Sequence, residues 1–206
     1  MASPNISFED IRIIFCVQGY NLDYKFVLRE IGFWTSGFSG CIPFNCKINK
    51  NQLDVQTKKT IEFSEDEIHG IKFKKNVDNG LASSESKAVL RALYHMNTNR
   101  KAKRIGICRD ENINGLLHNA GLGSFVINLD DLVMFQNSND KCPSNNDLRL
   151  FMKNNPYKFQ ICDIHERLRN NELAICAKVK AEYIAEFCQK YKNESLKNLL
   201  SLNNTM

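Results

Sequence analysis

Residues Ile11–Ile48 read IRIIFCVQGYNLDYKFVLREIGFWTSGFSGCIPFNCKI, and the class of the domain depends on how this stretch is divided. IRIIFCVQGY is too continuously apolar for a surface strand and predicts a buried one. NLD supplies turn residues, YKFVLREIGFWT a second strand, and SGFSG a hairpin connection. GCIPFNCKI is a third strand, with Pro43 expected at its start or on an edge. Short connections of this kind join antiparallel neighbours.

The segments beyond Ile48 change character. Asn49–Glu67 is polar, rich in Lys and Thr, and predicts a loop. SSESKAVLRALYHM places Leu90, Leu93 and Tyr94 at helical spacing, behind a first turn containing Ser84 and Lys87. RIGICRD predicts a short strand, ENINGLLHNAG a weak helix, and SFVINLDDLVMF a strand ending at an acidic turn. QNSNDKCPSNNDL is a polar loop, and DLRLFMKNNP a short helix stopped by Pro156. From Glu172 onward, Leu173, Ile175, Cys176, Val179, Tyr183, Ile184 and Phe187 follow a 3.6-residue period, the clearest helix in the chain. No period of 20–50 residues repeats and no linker divides the chain. One domain over residues 8–192 is expected, with a polar, fraying tail over 193–206. Three antiparallel strands followed by alternating helices and strands is the order of the ribonuclease H-like fold, an α/β class with a mixed central sheet flanked by helices.

Composition narrows the classes of function. The 206 residues are 43% hydrophobic, enough for one sizeable core. No apolar run is long enough for a membrane span. The opening MASPNISFEDIR is polar and partly acidic, unlike a signal peptide, so an intracellular protein, cytoplasmic or nuclear, is expected. Eight cysteines then read as thiols rather than a disulfide framework. Cys16, Cys41, Cys46 and Cys108 lie in apolar strands and read as small buried hydrophobes. The net charge of +5 permits a nucleic-acid partner without demanding one.

The stretch Ile161–Val179, ICDIHERLRNNELAICAKV, carries the chemistry. Cys162-x-x-His165 on a turn can present a thiolate and an imidazole to one tetrahedral ion, and Cys176 can return from the following helix. A fourth ligand is needed. Cys142 in KCPSNN is one candidate, giving Cys-x19-Cys-x2-His-x10-Cys. The alternative is that Cys162 and Cys176 are core thiols and His165 a surface residue.

The second strand contains Glu30-Ile31-Gly32, and His69-Gly70-Ile71 follows the polar segment. Both motifs are similar to those of proofreading-type (DEDD) exonucleases. That family holds Mg²⁺ with carboxylates. At the corresponding positions this chain has Cys16, Gln18, Asn114 and Cys176, which cannot assemble that ion pair. The chain more closely resembles the Maelstrom domain of the animal piRNA pathway, a lineage of the same fold in which a Glu-Cys-His-Cys zinc set replaces the carboxylates. The matching residues are Glu30-Ile31-Gly32, Cys162-x-x-His165 and Cys176-Ala177, with weaker echoes at Ile107–Asp110 and Asn128–Val133. The resemblance implies a structural Zn²⁺ on Glu30, Cys162, His165 and Cys176, with Cys142 the rival to Glu30. It also implies a single-stranded RNA partner, protein partners, and a role in transposon silencing. Ribonuclease activity has been attributed to such domains, and no residue here is assigned to it. A working nuclease using Asp110, Glu111, Asp130 or Asp131 around Mg²⁺ is the alternative.

Three basic groups are candidates for phosphate contact: Arg100, Lys101, Lys103 and Arg104; Lys72, Lys74 and Lys75; and Lys58 with Lys59. Tyr24, Trp34 and Phe38 offer rings on which bases can stack, set against the plainer expectation of core packing.

Overall fold

A computed structural model describes residues 6–22, 25–46, 50–68, 70–71, 80–96, 103–136, 141–155, 158–159, 162 and 175–203. Three strands open the fold: β1 (Ile11–Leu22), β2 (Lys25–Trp34) and β3 (Ser39–Asn45). They pair antiparallel in chain order, as the short connections require. A two-residue strand β4 (Leu81–Ala82) adds in parallel beside β3. On the opposite side β5 (Arg104–Ile107) and β6 (Val126–Asn128) extend the sheet in parallel from β1. The result is a six-stranded mixed sheet in the order β4-β3-β2-β1-β5-β6, an α/β architecture with helices on both faces.

The strand period of two separates the faces. Ile13, Phe15 and Val17 point to one face, where α2 (Ser86–Met96) contributes Leu90 and Leu93 and α3 (Glu111–Asn119) contributes Ile113 and Leu117. Ile14 and Cys16 point to the other, onto Ala181, Ile184, Ala185 and Cys188 of the long C-terminal helix α6 (Ala177–Asn203). Leu129, Leu132 and Phe135 close that second core. Phe135 belongs to α4 (Val133–Gln136), which precedes α5 (Asn145–Asn154).

The β1–β2 ladder carries one irregularity. Gln18 faces Glu30 while Gly19 faces Leu28, so Arg29 is an extra residue on β2. Its side chain is fully buried, donates from Nε to the Phe44 carbonyl (3.1 Å), and lies 5.9 Å from the Tyr20 ring. The bulge shifts the side-chain alternation of β2, which lets Leu28 join the core opposite α6 while Glu30 faces α6.

Three segments depart from the expected elements. The polar stretch 49–67 is not a loop: it holds α1 (Val55–Phe63), capped by Asp54, which accepts from the Thr57 N–H (2.9 Å), and continues in a π-helical turn at Ser64–Ile68. The strand expected over 124–135 stops at Asn128, whose side chain accepts from the Asp130 N–H and starts a tight turn. The tail is helical through Asn203 rather than frayed, since Lys192–Asn203 contains no Gly or Pro to end α6. The expected start of that helix at Glu172 lies outside the described residues, and α6 begins at Ala177. Among the described residues no helix is long and apolar enough to cross a membrane.

Glycine 32 sets how closely α6 approaches the sheet. A Cβ there would fall inside 3.0 Å of the Ala177 backbone and the Lys178 nitrogen, closer than real Cβ atoms come. Neither group can yield without moving the helix. Gly32→Ala is therefore expected to cost about 3 kcal/mol of stability. Gly115→Ala, on the exposed side of α3 with nothing within 4 Å, should instead stabilise by up to about 1 kcal/mol. Denaturant unfolding of the two variants checks the pair, and a Gly32→Ala protein of unchanged stability would refute the close seat of α6.

Candidate metal centre

The centre lies where α6 begins. On the α6 face of the sheet the ladders oppose Gln18, Glu30 and Pro43 in one row and Cys16, Gly32 and Cys41 in the next. Gly32 has no side chain, so Cys41 reaches diagonally across it toward Glu30, and its Sγ donates to Glu30 Oε2 (3.1 Å). Glu30 is fully buried, and its other oxygen, Oε1, accepts from the Ala177 N–H (2.8 Å) at the first turn of α6. A buried carboxylate is costly unless it is bonded. Here the positive end of the helix dipole adds to the hydrogen bond.

Cys176 precedes that first turn, and its Sγ lies 3.4 Å from Cys162 Sγ. Ligand atoms of Glu30, Cys41, Cys162 and Cys176 all lie within 4.8 Å of one another, so the four can hold one metal ion. A tetrahedral ion with thiolates at about 2.3 Å spaces its sulfurs about 3.8 Å apart, which this cluster meets with small shifts. Three sulfurs and one oxygen form a soft donor set, poor for Mg²⁺. Hydrogen bonds with the Cys162 and Cys176 thiols, then burial and the Glu30 charge, push the Cys41 thiol well above its ordinary range. Cys41 therefore holds its proton until a cation displaces it.

The structure brings Glu30, Cys162 and Cys176 together as expected; His165 lies outside the described residues. Cys41, read from sequence as a small core hydrophobe, belongs to the cluster. Its signal was its place opposite Gly32, which only the strand register reveals. Cys142, the rival fourth ligand, is elsewhere. It is buried against Cys188 (Sγ to Sγ 3.9 Å) in the core beneath α6, and its backbone N–H donates to Asp130 (2.7 Å). Cys16 is also a core thiol, pushed up to about 12 mainly by burial.

The other candidates have distinct surroundings. Gln18 donates from Nε2 to the Ile175 carbonyl (3.3 Å), bracing the approach to α6. Asn114 sits in α3. Asp110 caps α3 by accepting from the Asn112 and Ile113 N–H groups, and Glu111 occupies that helix's first turn. Asp130 pairs with Arg109 at 2.8 Å, and Asp131 is exposed in the adjoining turn. Lys103 is exposed at the entrance to β5, while Arg104 donates to the Ser124 carbonyl (3.1 Å). Arg100, Lys101, Lys72, Lys74, Lys75 and Tyr24 lie outside the described residues.

Cys41→Ser is expected to weaken Zn²⁺ binding at least roughly tenfold, whereas Cys142→Ser should leave it unchanged. Competition with a chromogenic chelator measures both, and equal retention by the two variants would remove Cys41 from the centre. Affinity should also fall as pH falls, because each thiol must lose its proton to bind. No protein-family model matches this chain, and no curated protein is detectably similar to it.

Proposed function

We propose that the chain is a zinc-pinned, catalytically degenerate ribonuclease H-like domain, similar to the Maelstrom domain, that binds single-stranded RNA. Its setting on this reading is transposon silencing of the piRNA type. The observation that carries the proposal is the donor set at the start of α6: one carboxylate, Glu30, among three thiols. A two-metal nuclease needs several carboxylates on its hard ions. Here the neighbouring positions are the neutral Gln18 and the protonated thiol of Cys16. Zinc suits the set, and with no water position required it acts by clamping α6 to β2 and β3.

The competing reading, a Mg²⁺-dependent nuclease, has less support. Asp110 is committed to capping α3 and Asp130 to Arg109 and the Cys142 N–H. For RNA, support comes from the basic entrance to β5, where exposed Lys103 precedes Arg104.

Metal analysis of the purified chain by mass spectrometry should find about one zinc per molecule. Single-stranded RNA should bind without Mg²⁺ and survive incubation with it. Lys103→Glu should weaken binding and flatten its salt dependence. Cleavage that requires Mg²⁺ and is abolished by Asp110→Ala would overturn the proposal in favour of the nuclease.

A further inference from the structure

Trp34, the single tryptophan of the chain, stands half-buried at the end of β2 in the wall of an open cleft of about 400 Å³. The cleft is framed by the turn before β1, the outer end of β2 and the middle of α6. Phe8 lies against the indole, ring centres 5.9 Å apart and tilted by 31°. Gln189, exposed on α6, adds an amide that can both donate and accept. Lys192 closes the far side and forms an ion pair with Glu9 across the mouth. Arg12 also lines the cleft, its guanidinium 5.1 Å from the Tyr94 ring centre.

We propose that this cleft holds one base of a bound single-stranded RNA, stacked on Trp34, with the adjoining phosphate on Lys192. The proposal rests on the RNA-binding reading above and adds the place of contact. The volume suits a nucleoside, and the combination of an aromatic wall, an amide and a cation is what a base with its phosphate requires. The cleft also abuts the basic entrance to β5. Ile11 pairs with Arg104, and the Lys103 N–H donates to the Asp10 carbonyl (3.2 Å), one residue from Glu9. Glu9 is the element that opposes an anion: its carboxylate occupies Lys192 and must give way when phosphate arrives.

The test uses the zinc-loaded full chain and a fluorescein-labelled oligouridylate, read by anisotropy, together with quenching of the Trp34 emission by the unlabelled oligomer. Saturable quenching is expected at the concentrations that raise anisotropy. Lys192→Glu should weaken binding roughly tenfold, and Glu9→Gln should tighten it severalfold by freeing Lys192. Both positions are at the surface, so neither variant puts folding at risk, and Trp34→Phe should retain part of the affinity. RNA binding with unquenched Trp34 emission, unchanged by Lys192→Glu and Glu9→Gln, overturns the cleft and leaves RNA binding standing. Absence of any anisotropy change at low salt overturns the RNA-binding reading, and the cleft with it.

Discussion

The hydrogen bond from the Ala177 N–H to the buried carboxylate of Glu30 ties the two halves of the molecule together. One side of it is a three-stranded antiparallel unit, and the other a helix of 27 residues that packs across those three strands. Glu30-Ile31-Gly32 reads as three consecutive instructions for that contact. Glu30 holds the helix terminus, Ile31 turns to the opposite core, and Gly32 clears the space into which the helix backbone settles. The metal cluster is built around the same point. An ion on Glu30, Cys41, Cys162 and Cys176 would join strands β2 and β3 to the residues leading into α6, reinforcing with coordinate bonds a junction that hydrogen bonding already defines.

Six of the eight cysteines divide into two chemistries that composition cannot distinguish. Cys41, Cys162 and Cys176 converge on a carboxylate. Cys142 and Cys188 instead touch each other within an apolar core that also contains Cys16. Buried thiols of the second kind behave as small hydrophobes. The difference lies in what stands beside them: Glu30 and a helix N-terminus in the first case, Phe135 and the alanines of α6 in the second.

Much of the sheet was legible because its signals are local. The first three strands fall within a few residues of where turns and apolar runs placed them, and α2 follows its spacing of Leu90, Leu93 and Tyr94. Helix α1 was missed because it buries only Thr57 and Ile61, too little apolar surface to imprint a helical period on a polar stretch. The reach of β6 was overestimated because Asn128 ends it by a side-chain bond to the following turn, not by a break in hydrophobicity. At the centre, Cys162 and Cys176 were legible as a spaced pair. Cys41 was not: its role depends on which residue of β2 it faces, a matter of register between strands.

The partners in the Glu30–Ala177 bond are separated by 147 positions in the chain. At ribosomal elongation rates that separation is roughly 7–30 s of synthesis. Throughout that interval β1–β3 exist with a carboxylate on the face destined for burial and with no helix to cover it. The sheet therefore cannot mature in step with its own synthesis, and the helix that covers it is made well after its strands. The three strands must wait for α6, a delay during which the uncovered face is open to chaperones or to premature self-association.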